Sequence, residues 1–245
     1  MKGNKGINNL IFIKSSDFYG KNDMNKDRLL WDKEYENSSR IWGDRPSELA
    51  IIAVKYLKRH QPDDKYLHIL DIGCGYGRDC LYLAKHLNCS VLGIDTSQKA
   101  IEILKNSRVY PYTKAIQFKC CDFMDIDQSK YDIAFASNLY QILQKKQREE
   151  LRKKVTDILK PYGLLFMNNL YTNDPEEYGK REACPDEQNS FINNKYLHFC
   201  TREELEEDFQ FLSIKELYEH EYDEPRARGE MHHHISWILI AEQVV

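Results

Sequence analysis

The sequence predicts an α/β fold built on a doubly wound, mostly parallel sheet. Short apolar segments alternate with amphipathic, helix-like segments from residue 68 to residue 170. Such alternation produces right-handed crossovers and a parallel sheet whose two faces are covered by helices. The last two apolar segments, residues 211–220 and 235–242, have no helix between them. They are therefore expected to form an antiparallel pair at an edge of the sheet.

Periodicity and capping residues place each element along the chain. Ser47 is suited to cap a helix that runs to His60, and Thr201 with Glu204 has the spacing of a capping box for a helix that ends near residue 209. The other expected helices cover residues 28–37, 79–86, 98–108 and 145–160. The expected parallel strands cover residues 68–72, 91–95, 116–120, 131–137 and 163–170.

Composition along the chain predicts one domain preceded by an arm. Residues 1–25 are rich in Asn, Lys and Gly around a small apolar group, and they are expected to form a flexible N-terminal arm. Residues 26–245 contain no repeat and no clear linker, so we expect them to form a single domain. Residues 172–198 lack a regular period and contain two prolines and a glycine, which predicts a lid-like insert.

The overall composition argues against several classes of protein. The 245 residues include 35 Lys and Arg against 39 Asp and Glu, so no global field attracts nucleic acid or an anionic membrane. The basic residues between 145 and 154 alternate with acidic ones, which is typical of a solvated helix face. The longest early apolar run, residues 10–13, is too short for a signal sequence or a membrane span. The seven cysteines show no zinc-like paired spacing, so we expect free thiols and a cytoplasmic protein.

A run of three alternating glycines is the most informative feature of the chain. Gly73, Gly75 and Gly77 follow the apolar strand that contains Asp71, and they open the next helix. Glycines at such a point let the backbone approach a ligand and aim its N–H groups at it. Asp95 closes the next apolar segment, where an α/β nucleotide fold holds ribose hydroxyl groups. The spacing G-x-G-x-G differs from the G-x-G-x-x-G fingerprint of dinucleotide-binding proteins.

With this loop and these acids, residues 31–242 resemble the class I S-adenosylmethionine-dependent methyltransferases. The resemblance implies a Rossmann-like sheet of seven strands whose last strand is antiparallel, and S-adenosylmethionine as the cofactor. It places Asp122 and Phe123 against the adenine, and Asn138 and Tyr140 where the methyl group is transferred. The cofactor-binding residues of the predicted domain are Asp71, Gly73, Gly75, Gly77, Asp95, Thr96, Asp122, Phe123 and Asn138.

The segment before the first strand resembles the entry region of small-molecule methyltransferases, notably the tellurite-resistance and thiopurine groups. Trp42 and Arg45 stand in an aromatic but otherwise polar stretch. An aromatic face suits a sulfonium cation, and a guanidinium can pair with the methionyl carboxylate. We therefore assign Trp42 and Arg45 to cofactor binding. The alternative is that Trp31 and Trp42 only anchor the arm on the core.

Three consecutive histidines, His232, His233 and His234, lead into the last strand at the sheet edge where the cofactor is expected. Alternation sends His232 and His234 to one face of the strand. These two and Tyr140 are the predicted catalytic residues, since a histidine can accept a proton near neutral pH. The alternatives are ordinary polarity of an edge strand and a metal site. Further ligands of such a metal would come from Glu230, Cys184, Cys200 and His198. Neighbouring strand residues point apart, so no metal ligand is assigned.

The reaction that the resemblance implies is direct in-line displacement, in which a small-molecule nucleophile takes the methyl group. A thiol or a metalloid oxyanion is the first expectation for the substrate, and a hydroxyl, carboxylate or amine is the main alternative. The chain lacks an Asn/Asp-Pro-Pro-aromatic tetrad after the fourth strand, which argues against DNA as the substrate. Two other functions stay open, namely an NAD-dependent oxidoreductase and a cofactor-binding partner subunit without activity.

Overall fold

A computed structural model describes residues 23–38, 41–62, 64–106, 115–127, 130–193, 195–225 and 231–244. Most of the predicted N-terminal arm, residues 1–22, lies outside these ranges. The last residues of that arm belong to helix α1 (Asp23–Asn37), which therefore begins before the predicted residue 28.

Seven strands form the central sheet. They are β1 (Leu67–Ile72), β2 (Cys89–Asp95), β3 (Ile116–Cys120), β4 (Tyr131–Ala136), β5 (Leu159–Leu170), β9 (Leu212–Pro225) and β10 (Met231–Gln243). Their spatial order is β3-β2-β1-β4-β5-β10-β9. Neighbours from β3 to β5 pair in parallel, whereas β10 is antiparallel to both β5 and β9. The predicted fold class, a mostly parallel Rossmann-like sheet with an antiparallel last strand, is confirmed.

Helices cover both faces of this sheet. The further helices are α2 (Glu48–His60), α3 (Arg78–His86), α4 (Gln98–Lys105), α5 (Lys145–Ile158) and α6 (Arg202–Asp208). Successive residues of β1 face opposite layers: Ile69 packs in the core beneath α2 and α3, and Leu70 packs in the core beneath α5. None of the described helices is long and apolar enough to cross a membrane.

The two predicted helix caps differ in how completely they form. Ser47 Oγ accepts a hydrogen bond from the Ala50 N–H at 3.1 Å, as predicted. Thr201 Oγ1 accepts from the Glu204 N–H at 3.2 Å, which is one half of the predicted capping box. The Glu204 carboxylate, however, lies 2.7 Å from His198 Nε2 and forms a hydrogen bond with that histidine instead of completing the capping box.

The predicted insert, residues 172–198, is a small folded unit. Its strands β6 (Glu182–Ala183), β7 (Ser190–Ile192) and β8 (Tyr196–His198) form an antiparallel sheet of their own. Phe191 packs edge-on against Tyr178, with ring centroids 5.2 Å apart, and both rings also contact Phe199. The insert is therefore tied to the central sheet by an aromatic core that continues into Leu170 of β5.

Candidate cofactor site

A pocket opens at the carboxyl ends of β1, β2 and β4. The chain crosses from β1 to β2 on one side and reaches β4 on the other, so the strand order reverses at this point. Ligands in open α/β sheets bind at such a reversal. The predicted cofactor-binding residues that line the pocket are Trp42, Asp71, Gly73, Gly75, Asp95, Thr96, Asp122, Phe123 and Asn138. Those predicted site residues that do not line it are Arg45, Gly77, Tyr140, His232 and His234.

The glycine loop and Asp95 form one hydrogen-bonded unit. Asp95 Oδ2 accepts from the Gly75 N–H at 2.8 Å, and Asp95 Oδ1 accepts from the Ser97 N–H at 2.8 Å. Gly75 has φ +55°, and a Cβ on it would lie 2.8 Å from Tyr35 Oη. A side chain at this position would therefore enter the pocket lining.

Gly77 was predicted to bind the cofactor, but it has a structural role instead. It precedes α3 with φ +75°, and a Cβ there would lie 2.9 Å from the Phe118 ring. The absence of a side chain at Gly77 lets the start of α3 pack closely against β3. Gly77 thus shapes the loop without lining the pocket.

Burial raises the pKa of the two acids at the strand ends. Burial raises the pKa of Asp95 to about 6, and the Ser97 and Gly75 N–H groups limit that rise. Burial, together with the nearby Asp79, raises the pKa of Asp71 to about 8, against a lowering effect of the Cys80 thiol at 3.0 Å. At pH 7 the pocket therefore holds Asp95 as a carboxylate and Asp71 mainly as a neutral acid.

Arg78, which the sequence did not indicate, folds the segment 41–47 over the pocket. Its Nη1 donates to the Trp42 carbonyl at 2.5 Å and to the Arg45 carbonyl at 3.3 Å. Tyr76 Oη donates to the Gly43 carbonyl at 2.7 Å and accepts from the Trp42 N–H at 3.1 Å. The Trp42 side chain lines the pocket as a result.

Arg45 does not take the role that was predicted for it. Its side chain is exposed and is absent from the pocket lining. The turn at Gly43, with φ +69°, carries the chain past the pocket before Arg45 is reached. The prediction that Arg45 pairs with a cofactor carboxylate is not supported by this geometry.

Helix α1 also contributes side chains to the pocket lining. Trp31 and Tyr35 lie one turn apart on α1, with ring centroids 6.3 Å apart, and both line the pocket. Lys195 of the insert lies 5.0 Å above the Trp31 ring and 2.6 Å from Glu34 Oε2. The spacing of four residues between the two aromatic side chains was the available signal for this aromatic cover.

The ends of β3 and β4 supply the remaining walls. Asp122 Oδ1 accepts from the Met124 N–H at 2.8 Å and caps a single helical turn that presents the buried Phe123. Asn138 turns the chain after β4 with φ +54°. Its side-chain oxygen accepts from Asn168 Nδ2 at 2.7 Å, and its N–H donates to Asn168 Oδ1 at 2.8 Å. Asn138 thus faces the pocket in an orientation that is fixed by β5.

Tyr140 is directed away from the pocket. Its side chain is fully buried under α5 and α6, and its hydroxyl lies 2.5 Å from Asp208 Oδ2 and 2.7 Å from Arg152 Nη1. Burial raises the pKa of Tyr140. The predicted catalytic role of Tyr140 is therefore not supported, because the single turn after Leu139 points its ring into the core.

The histidines of β10 lie at the predicted edge but outside the pocket. His234 is 3% exposed, and its Nδ1 lies 3.0 Å from Asp174 Oδ2 in the insert. The His232 and His234 rings lie 6.1 Å apart on one side of the strand, whereas His233 contacts Asp223 at 3.1 Å. The alternation was predicted correctly, but β5 separates β10 from β4, so His232 and His234 do not reach the pocket. Glu230 lies outside the described residues.

Comparisons with known proteins show what this part of the chain is similar to. Residues 69–163 match the family model described as a methyltransferase domain. A carboxy-S-adenosyl-L-methionine synthase from Shewanella piezotolerans is 30% identical over 131 residues, which are 52% of this chain and 51% of that protein. A ubiquinone biosynthesis O-methyltransferase from Coxiella burnetii is 31% identical over 124 residues, 50% of this chain and 51% of that protein. The chain spans about half the length of the curated relatives it matches.

A solved structure extends the likeness over nearly the whole fold. The 1,6-didemethyltoxoflavin-N1-methyltransferase from Burkholderia thailandensis, with bound 1,6-didemethyltoxoflavin and S-adenosylhomocysteine, has a TM-score of 0.63. It is 14% identical and covers 93% of this chain and 92% of its own. Residues 69–163 therefore match a methyltransferase domain, and the chain has the fold of the class I S-adenosylmethionine-dependent methyltransferases, as predicted.

Proposed function

We propose that the chain binds S-adenosylmethionine in this pocket and transfers its methyl group to a small-molecule nucleophile. The observation that carries the proposal is the convergence of Gly75, Asp95 and Asp122 on one crevice, within the matched domain. When bound, S-adenosylmethionine supplies an activated methyl group, and S-adenosylhomocysteine remains after an in-line displacement. The protein then has to align the two reactants and exclude water.

Each wall of the pocket suits one part of this cofactor. Asp95 is ionised at neutral pH and can accept hydrogen bonds from the two ribose hydroxyl groups. Asp122 and Phe123 suit the adenine, as acceptor and apolar cover. Trp31 and Trp42 present aromatic side chains, which attract a cation such as the sulfonium.

The charges in the pocket favour a neutral nucleophile or a thiol over an oxyanion. Arg78 is the sole Lys or Arg side chain among the described lining residues. Its Nη1 already donates to two backbone carbonyls, and its Nη2 lies 3.8 Å from Glu224. A metalloid oxyanion or a carboxylate would therefore find mainly acids around it, so a nucleophile that is neutral when it binds, such as a thiol or an amine, is the better-supported substrate.

The lining also restricts how the substrate can lose a proton. Within the described part of the chain, no histidine or lysine lines the pocket. A thiol has an ordinary pKa of about 8.5, so part of it is already ionised near neutral pH, whereas an aliphatic alcohol would need a base. An amine also fits, because its neutral form attacks before the proton is lost.

Methyl transfer by the purified chain tests this proposal. S-adenosylhomocysteine formation is measured by mass spectrometry with separate panels of thiols, amines, phenols and metalloid oxyanions, with Asp95→Ala as the control variant. We expect turnover with thiols or amines that falls with the loss of Asp95. Binding of the cofactor without turnover on any panel would indicate instead that the chain is a cofactor-binding partner subunit without activity.

A further inference from the structure

A second cluster of chemically capable side chains lies outside the pocket, where the insert meets helix α6. His198 ends β8, Cys200 follows two residues later, and Glu204 stands in the first turn of α6. We propose that these three side chains bind a divalent transition-metal ion, with Zn²⁺ the ion that their chemistry fits best.

The ligand atoms are already gathered. One histidine nitrogen, the Cys200 sulfur and one Glu204 oxygen all lie within 4.8 Å of one another. Ligand atoms around a tetrahedral zinc ion lie roughly 3.2–3.8 Å apart, given bonds of about 2.0–2.3 Å. The 2.7 Å separation of His198 Nε2 and Glu204 Oε1 therefore needs only a small opening to admit the ion.

The surroundings hold two of the three ligand residues in place. Ser190 Oγ lies 2.8 Å from His198 Nδ1, which leaves Nε2 as the nitrogen that faces the cluster. The backbone of Cys200 is held by Leu170, whose carbonyl accepts from the Cys200 N–H at 3.0 Å. It is also held by Trp237, whose Nε1 donates to the Cys200 carbonyl at 3.1 Å. A site so constrained loses little conformational entropy when an ion enters.

The cluster is largely buried, and the cations nearest to it are paired with other acids. His198 is 2% exposed and Cys200 is fully buried, whereas the Glu204 side chain is 29% exposed, so water would reach a bound ion from the side of Glu204. The nearby cations are already paired, Arg148 with Glu187 and Arg152 with Asp208. Glu204 Oε1 lies 2.7 Å from His198 Nε2, and an ion between these two atoms would replace their direct contact.

The coordination chemistry defines the kind of site. The Cys200 thiol loses its proton to solvent as the metal–sulfur bond forms, and a neutral His198 and ionised Glu204 complete three protein ligands. A water molecule takes the fourth position of a tetrahedral ion. None of the three residues lines the cofactor pocket, so the ion would fasten the insert to α6 rather than act on the methyl acceptor.

Titration of the metal-free full-length chain with Co²⁺ tests the proposal, followed by displacement with Zn²⁺. We expect one equivalent of Co²⁺ to bind with a thiolate-to-cobalt absorption band and a tetrahedral visible spectrum. Cys200→Ser should lose the band and bind Zn²⁺ at least tenfold more weakly. Cys184→Ser, which changes a half-buried cysteine of the same insert outside the cluster, should behave as the unmodified chain does.

Two results would overturn the site. One is the lack of stoichiometric Co²⁺ or Zn²⁺ binding by the unmodified chain, and the other is an unchanged band in Cys200→Ser. Because Cys200 is fully buried, Glu204→Gln serves as a second variant that keeps the core intact, and its metal affinity should also fall at least tenfold. Unaltered affinity in a folded Glu204→Gln chain would likewise contradict the proposal.

Discussion

The polar side chains at the carboxyl edge of the sheet face a pocket in one half of the sheet and the protein interior in the other half. Over the half that contains β1 to β4, Asp95 at the end of β2 and Asp122 after β3 face an open crevice. Over β10, His234 is turned into the protein, where Asp174 fixes the insert through His234 and the Ile235 N–H. Both groups stand at one edge, and among the described residues the pocket lies over the half at the strand-order reversal. The edge of a sheet thus indicates where a site can lie, and strand order decides where it does.

The largest effect is expected at Gly75, within the crevice. Gly75→Val would place its Cβ 2.8 Å from Tyr35 Oη and extend two methyl groups into the lining, so S-adenosylmethionine binding should be abolished. Calorimetry measures the loss. Gly179→Val is the matched control, because Gly179 also has a left-handed φ of +71° but nothing lies within 4 Å of its Cβ position. Wild-type affinity in a folded Gly75→Val chain would refute the assignment of the loop.

The second effect is expected at Asp95. Asp95→Ala removes the proposed acceptor of the ribose hydroxyl groups, and a hydrogen bond to a charged group contributes about 1.5–3 kcal/mol. Cofactor affinity should fall at least tenfold. Because the pKa of Asp95 is about 6, the affinity of the unmodified chain should also fall as the pH drops below 6, and Asp95→Ala should lack that dependence. If the affinity depends on pH in the same way in both proteins, Asp95 does not take part in cofactor binding.

The third effect is expected at His234, in the half of the sheet edge that contains β10. Burial disfavours the Asp174 carboxylate, but hydrogen bonds from His234 and from two backbone N–H groups lower the pKa of Asp174 overall. His234→Ala removes one of these bonds and should destabilise the fold by about 1–3 kcal/mol. His233→Ala, at a half-exposed side chain, should change stability by less than about 0.5 kcal/mol. Urea unfolding compares them, and a stable His234→Ala chain with reduced turnover would restore the catalytic interpretation.

A further effect is the dependence of the free energy of unfolding on pH. The folded chain holds the Asp71 proton up to a pKa of about 8, whereas the unfolded chain releases it near 3.8. Between these values the folded state binds more protons, so the contribution of Asp71 to the free energy of unfolding falls as pH rises. Asp71→Asn should flatten the slope between pH 5 and 8, as measured by urea unfolding. An equal slope in both proteins would show that Asp71 is ionised in the fold.

The sequence predicted the crevice better than the histidine cluster for a physical reason. Gly75 and Asp95 follow directly from parallel strands, because their carboxyl ends meet at one edge whatever the rest of the chain does. The role of His234 depends on β10 lying beyond β5, a long-range pairing that no local pattern encodes. The contact of Arg78 with the Trp42 carbonyl likewise joins residues 36 positions apart.

The direction in which a side chain points was the other property that could not be predicted from the sequence. Tyr140 and Asn138 both follow β4, and the short turn between them sends Asn138 to the pocket and Tyr140 into the core. Similarly, Thr201 was placed correctly as a cap, but the Glu204 carboxylate turned to His198 because a buried histidine offered a closer partner. Such choices are decided by tertiary contacts of a few ångströms.

Calorimetric titration of the full-length chain with S-adenosylhomocysteine, and separately with NAD, tests the central claim most directly. We predict saturable binding of one S-adenosylhomocysteine per chain and no binding of NAD. Saturable binding of NAD, with none of S-adenosylhomocysteine, would contradict it and assign the crevice to an oxidoreductase.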